Sequence, residues 1–317
     1  MPIHEDALAL LRATPGVTAE VLPDTAPATL AARLPQADGL IIRTIPVRRE
    51  TIAACPRLRV VARHGVGYDL IDVPALTARG IPLTITPEAN AGSVAEHAMM
   101  LMLTLARRTI PYDANMRMPV WGGQAALPTF DLAGKTVLVV GFGRIGSRVA
   151  RLCAAFGMRV LVRDPKVAKG TIRGLGFEAV DDAADAAADA DIVTLHLPSS
   201  AETRGLVDAA FMARMRPGAV LVNTARGNIV DQAALELALR AGHLAGAGLD
   251  VFEEEPVTTS IPLLTAPNLV MTPHVAASTG EGLRRMAMDS AAAVLAAFDG
   301  RLDPDIVVNP EVLPRRN

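Results

Sequence analysis

Five side chains able to move a proton or hold an anion stand directly after short apolar runs in the second half of this 317-residue sequence. His196 closes "DIVTLH", Arg226 follows "AVLVNTA", Asp250 and Glu255 lie in "AGLDVFEEEP", and His274 ends "NLVMTPH". An imidazole exchanges a proton near neutral pH, and a guanidinium grips a carboxylate or phosphate with two parallel hydrogen bonds. Each residue also has an ordinary reading: an arginine in a surface turn, one of three solvated acids in "EEE", a satisfied histidine near a helix start. Their placement after successive strands favours a site, because open parallel sheets bind ligands outside the carboxyl ends of their strands.

A second source of chemistry is "VLVVGFGRIGSRVARLCAAFGMRVLVRDP", residues 137 to 165. It reads as strand, glycine turn, helix and strand, the unit that holds a dinucleotide. Gly141 permits the tight turn, Gly143 lets the backbone approach a pyrophosphate at the helix N-terminus, and Gly146 lets helix and strand pack closely. Asp164, eighteen residues after Gly146, stands where a carboxylate can accept hydrogen bonds from a ribose diol. This predicts NAD rather than NADP, since the carboxylate repels a 2′-phosphate, although Arg163 and Lys166 beside it pull the other way.

The elements that would position these residues alternate along the chain. Apolar runs at 39–42, 58–62, 136–140, 159–162, 191–195, 219–222, 247–249 and 269–271 are separated by helical segments, the pattern of parallel sheets covered on both faces. "DDAADAAADAD" reads as a short amphipathic helix between strands. "SVAEHAMMLMLTLARR" reads as a long helix with Ser93 as N-cap and Glu96 completing a capping box, its Met and Leu residues belonging to the core or a subunit interface. The Pro- and Gly-rich stretch "TIPYDANMRMPVWGGQAALPTFDLAGK" reads as irregular chain lying over a neighbouring surface.

Composition bounds the function. The chain is long enough for two domains, half of it is hydrophobic, and a net charge of −2 gives no general attraction to nucleic acid or an anionic membrane. No apolar stretch reaches membrane-spanning length, and "MPIHEDALALLRA" lacks the basic start and apolar core of a signal peptide, so a cytoplasmic address is expected. Cys55 and Cys153 have no partner at metal-ligand spacing and read as buried or idle thiols; no metal is expected.

The glycine motif together with "HLPSSAETRGLV", "NTARGNIVD", "LDVFEEEP" and "TPHVAAST" resembles the successive signatures of the D-isomer-specific 2-hydroxyacid dehydrogenases, and "RHGVGYDLID" and "NAGSVAEHAMMLML" extend the resemblance over nearly the whole chain. The resemblance implies an α/β protein of two doubly wound domains: a Rossmann coenzyme domain, residues 90–278, inserted in a flavodoxin-like substrate domain made of 1–89 and 279–317. It implies hydride transfer between NAD and a 2-hydroxy or 2-keto acid, and a homodimer. Arg226 matches the arginine that binds the substrate carboxylate, His274 the catalytic histidine, and Glu255, immediately before Pro256, the acid paired with it. Such an acid would fix the imidazole tautomer and raise the histidine pKa. Gly141, Gly143, Arg144, Ile145, Gly146, Asp164, His196, Pro198, Thr203, Ala225 and Asp250 match cofactor positions. Arg43, Arg63, Val66 and Gly67 match substrate positions, where the phosphoglycerate-type members place arginines against a second anionic group.

Two alternatives stay open on the sequence: a glyoxylate/hydroxypyruvate reductase, and a non-catalytic NAD-binding regulator. Against the regulator, a sensor would need the glycines but not Arg226, Glu255 and His274 together. His4, His97 and His243 read as structural or exposed. The sequence also departs from the family at its start: "PIHEDALALLRA" begins the first helix almost at once, where members open with a strand. That reads as a lost strand or a start codon placed too late, either of which would leave backbone groups of the neighbouring strands unpaired. The end at "VVNPEVLPRRN" gives no expectation of a fused regulatory domain.

Overall fold

The computed structural model describes residues 3–118, 127–258 and 261–314. In chain order it holds α1 (Glu5–Ala13), α2 (Pro27–Arg33), β1 (Gly39–Ile42), α3 (Arg49–Ala53), β2 (Val60–Arg63), α4 (Val73–Ala78) and β3 (Leu83–Thr84). There follow α5 (Ala91–Ala106), α6 (Thr109–Arg117), β4 (Thr136–Val140), α7 (Arg144–Ala155), β5 (Arg159–Arg163), α8 (Lys169–Gly174), β6 (Glu178–Ala179) and α9 (Ala183–Ala187). The chain continues through β7 (Ile192–Leu195), α10 (Ala209–Arg214), β8 (Ala219–Asn223), α11 (Gln232–Arg240), β9 (Leu244–Leu249), β10 (Leu269–Met271) and α12 (Gly280–Phe298). It divides into two compact units, Met1–Asn90 with Ser278–Asn317, and Ala91–Ala277.

The inner unit, Ala91–Ala277, is a seven-stranded parallel sheet in the order β10-β9-β8-β7-β4-β5-β6. Its strands are continuous apolar runs because helices cover both faces. Along β4, Leu138 and Val140 join one core with Leu195, Leu221 and Leu249, while Val137 and Val139 join another with Leu101, Met102 and Val149. The strand order reverses between β4 and β7, so the ends of these two strands flank a crevice at the switch point.

The outer unit carries a three-stranded parallel sheet, β1-β2-β3. Ile42, Val61, Leu76 and Leu83 form its core, and Ala7 and Leu11 of α1 pack on Ala287 and Ala291 of α12. The returning C-terminal segment is stitched to β3: Leu83 N–H donates to Oδ1 of buried Asn309 at 2.8 Å, and Val308 N–H to Leu83 O at 2.8 Å. Among the described residues no strand precedes α1, and β1 is an edge strand.

Two local expectations are corrected. α5 starts at Ala91, so Ser93 lies buried in its first turn instead of capping it. The stretch after it opens as helix α6, with Arg117 paired to Asp113 one turn earlier, rather than as irregular chain; its residues 119–126 lie outside the described residues. The Ala-rich tract does form a helix, α9, capped by the Asp182 carboxylate accepting from Asp185 N–H. No helix among the described residues is long and apolar enough to cross a membrane.

Candidate active site

Three loops at the carboxyl ends of β8, β9 and β10 bring Arg226, Glu255 and His274 together. His274 Nδ1 lies 2.7 Å from Glu255 Oε2, and the other carboxylate oxygen accepts from Phe252 N–H at 3.0 Å. Burial opposes the charge on Glu255, but the His274 hydrogen bond, the Phe252 amide and the charges of His274 and Arg226 outweigh it and hold the carboxyl below its usual range. A carboxylate-only acceptor at Nδ1 places the N–H there and leaves Nε2 for proton exchange.

The backbone explains the placement. His274 adopts φ 53°, a left-handed conformation that costs a non-glycine residue about 1–3 kcal/mol. Its N–H donates to Asp250 O at 2.8 Å and to Thr272 O at 3.0 Å. Partly buried Arg226 is set by Asn223, whose side chain accepts from Ala225 N–H at 2.9 Å and donates to Arg226 O at 2.8 Å. A Cβ on Gly227 would come within 1.8 Å of the Phe252 carbonyl carbon, so only glycine lets the Arg226 turn lie against the loop that carries Glu255.

At the switch point, the glycine motif divides its labour as expected from its spacing. Gly141 has φ 94°, and a Cβ there would meet His196 O at 2.4 Å; a Cβ on Gly146 would meet Gly141 O at 1.9 Å. Nothing lies within 4 Å of a Cβ built on Gly143, the N-cap of α7, and no side chain caps that helix. Open backbone at a helix N-terminus suits a pyrophosphate. Buried Thr224 Oγ1, at the end of β8, has no hydrogen-bond partner among the described residues, a second opening for a polar ligand. Both features fit a dinucleotide.

Other predicted cofactor positions are more occupied than spacing suggests. Asp164 accepts from Phe142 N–H (2.7 Å), Lys166 N–H (2.7 Å) and Val167 N–H (3.1 Å), so it buttresses the glycine loop. An ionised carboxylate has about four acceptor positions, which leaves room for a ribose hydroxyl. Thr203 donates to Pro198 O at 2.7 Å and accepts from Ser200 N–H at 2.7 Å, fixing their shared loop. Loss of hydration pushes His196 down to about 3, so it stays neutral and offers shape and backbone rather than charge. Ile145 packs on the core, and exposed Arg144 accepts at its carbonyl from Arg148. Asp250, only 1% exposed, spends its carboxylate on Thr272 Oγ1 (2.6 Å), Val275 N–H (2.9 Å) and Ala276 N–H (2.9 Å).

In the outer unit, Arg43 and Arg63 stand at the ends of neighbouring strands, Ile42 being paired with Arg63. Arg63 turns back onto its own loop: Nε donates to Gly67 O at 2.5 Å, and Nη1 to His64 O at 2.6 Å and Ile42 O at 3.4 Å. It thereby shapes the segment that holds Val66 and Gly67. The residues missed by sequence reasoning are Asn223, Thr224, Gly227 and Thr272, together with His97, which bonds Thr272. Only Gly227 carried a local signal, as a glycine directly after a candidate arginine.

Residues 99–276 match the family model described as D-isomer specific 2-hydroxyacid dehydrogenase, NAD binding domain. The chain is 44% identical over 292 residues to the D-3-phosphoglycerate dehydrogenase of Mycobacterium leprae, covering 90% of this chain and 55% of that protein. It thus spans about half the length of that relative. It is 39% identical to the glyoxylate reductase of Korarchaeum cryptofilum, covering 90% of this chain and 86% of the other. A crystal structure of a Thermus thermophilus protein superposes with a TM-score of 0.88 at 35% identity, covering 97% of each chain.

Proposed function

The chain belongs to the D-isomer specific 2-hydroxyacid dehydrogenases, and on that premise we propose that it interconverts a 2-keto acid and its 2-hydroxy acid, with NAD as cofactor and a second anionic group on the substrate. The observation that carries the reading is the 2.7 Å pairing of Glu255 with His274 in a strained turn beside Arg226. Bound NAD supplies or accepts the hydride at C2. The open glycine loop at Gly141, Gly143 and Gly146 would hold its pyrophosphate, and Asp164 a ribose hydroxyl. Arg226 grips the substrate carboxylate and so aims C2. In the reducing direction His274 Nε2 gives its proton to the C2 oxygen as that oxygen gains charge; in the oxidising direction it takes the proton back. Glu255, ionised, holds the ring and stabilises the imidazolium.

Arg43 is the group assigned to the second anion, with Arg63 shaping the loop around it. Guanidinium suits phosphate, sulfonate and carboxylate alike. The test is a panel of pyruvate, glyoxylate, hydroxypyruvate, oxaloacetate, 2-ketoglutarate, 3-phosphohydroxypyruvate and 3-sulfopyruvate. Acids with a charged tail should give the highest kcat/KM, and Arg43→Ala should lower that value about 10- to 100-fold for them alone, the loss expected of one charge-assisted contact. Preference for glyoxylate or hydroxypyruvate in the unaltered protein would reassign it as a glyoxylate/hydroxypyruvate reductase.

A homodimer is also part of the proposal. Met99, Met100, Leu103, Leu152 and Phe156 line an apolar groove of about 460 Å³ between α5 and α7, and Met100 and Phe156 are 39% and 44% exposed. A second copy is the occupant assigned to it. Sedimentation should give a dimer that Met100→Glu dissociates; a monomer at micromolar concentration overturns this.

A further inference from the structure

The turn that presents His274 is held from behind by a chain of side chains that begins on α5. His97 Nε2 lies 2.9 Å from Thr272 Oγ1, and Thr272 Oγ1 lies 2.6 Å from Asp250 Oδ1. Thr272 has a single hydroxyl hydrogen, and an ionised carboxylate can only accept, so that hydrogen goes to Asp250. Thr272 Oγ1 must then accept from His97, which fixes the proton of His97 on Nε2. Asp250 in turn accepts from the amides of Val275 and Ala276, at 2.9 Å each, the two residues directly after His274. The chain therefore runs from a sixteen-residue helix to both sides of a residue held at φ 53°.

We propose that His97 is a positioning residue for His274, acting through Thr272 and Asp250 to keep the strained turn, and hence the imidazole, in its working orientation. The inference rests on the reading of His274 as the proton-exchanging group. Two physical points support it. A left-handed histidine persists only where its surroundings over-determine it, and Asp250 supplies three of the bonds that do so, one from its carbonyl and two from its carboxylate. Asp250 is also 1% exposed, and a buried carboxylate needs its partners; the His97 ring turns Nε2 toward it, 3.6 Å from Oδ1. His97 acts on Thr272 and Asp250, whose side chains are committed to the turn, so its loss should act on the turn and not on cofactor binding.

The test compares His97→Leu, His97→Gln, Thr272→Val and the His97→Leu/Thr272→Val double variant. Leucine removes the donor, whereas glutamine returns an N–H near the position of Nε2. Expected are a fall in kcat of about tenfold for His97→Leu and for Thr272→Val, with NADH affinity by fluorescence titration unchanged, and recovery in His97→Gln. The double variant should lose no more than the worse single one, as residues of one chain do. The NMR signal of the His274 ring, assigned by its loss in His274→Ala, should shift in His97→Leu and return in His97→Gln. Additive losses, an unmoved His274 signal, or a kcat not restored by glutamine overturns the inference; should His97→Leu not fold, His97→Gln and Thr272→Val carry the same comparison. A shifted His274 signal in a protein that reduces no keto acid would overturn the proposed reaction while leaving the positioning role intact.

Discussion

The inner and outer units hold their charged side chains in opposite ways. In the inner unit, Glu255 is bound to His274 and feels the charge of Arg226, so the polar groups are spent on one another. In the outer unit, the Arg63 guanidinium is spent on the carbonyls of its own loop, and buried His64 sits near Arg43 and Arg63 with no carboxylate among the groups acting on it. On the proposed reading, the first arrangement fixes a proton-exchanging imidazole, and the second uses an arginine to shape a loop. Arg63, the last residue of β2, donates to loop carbonyls, whereas Arg226, in the loop after β8, acts on the Glu255 carboxylate. A histidine stands near each; the difference is the carboxylate, present as Glu255 beside Arg226 and absent from the groups acting on His64.

Removing His274, the proposed proton-exchanging group, puts that contrast under the heaviest strain. His274→Ala should lower kcat about 10²–10⁴-fold, the range of lost acid–base catalysis, with NADH affinity nearly unchanged. Stopped-flow reduction of the preferred keto acid and fluorescence titration of NADH give the two numbers. Near-normal turnover would mean that the inner unit's pairing is structural, and the contrast with the outer unit would collapse. Glu255 responds in the same variant: the His274 hydrogen bond and charge are among the causes that hold its carboxyl below the usual range, so their removal leaves the Phe252 amide and Arg226 alone to oppose burial.

How much of this could be read without coordinates follows from the same contrast. The strands of the inner unit end in motif residues, so the grouping of Arg226 and His274 was legible from their order, that of Glu255 only from the resemblance that places an acid before Pro256, and the parallel sheet from its apolar runs. The glycines were legible because sterics leave no other residue at Gly141 or Gly146. His97 was not, since it meets Thr272 across 175 residues of sequence, and nothing local marks which face of α5 turns toward β10. Asp250 was read as a cofactor position, and its commitment to the turn depends on amides whose direction only the folded backbone sets. Arg63 showed the limit most plainly: its type and place suggested an anion, and its geometry gives its Nε and Nη1 to carbonyls.

A smaller effect tests the contrast from the side of the outer unit. His64 is 4% exposed. Loss of hydration, and then the charges of Arg43 and Arg63, push its pKa down to about 4, against the opposing pull of a hydrogen bond to the Leu283 backbone. A folded pKa below the unfolded value of 6.5 means that the unfolded chain takes up the proton first. The stability tied to neutral His64 is therefore complete above pH 6.5 and is lost as the pH falls toward 4. At about 1.4 kcal/mol per unit, the loss between pH 7 and pH 4.5 amounts to about 2 kcal/mol. His64→Gln removes the titrating group, so its unfolding free energy, measured in urea at both pH values, should fall by about that much less than that of the unaltered chain. The inner unit's His196 carries a shift of the same sign, to about 3, and would remain in the variant, so some acid sensitivity should persist. An unchanged pH dependence in His64→Gln would show that His64 is protonated in the folded chain as readily as in the unfolded one. Neither its burial nor the charges of Arg43 and Arg63 would then govern its protonation.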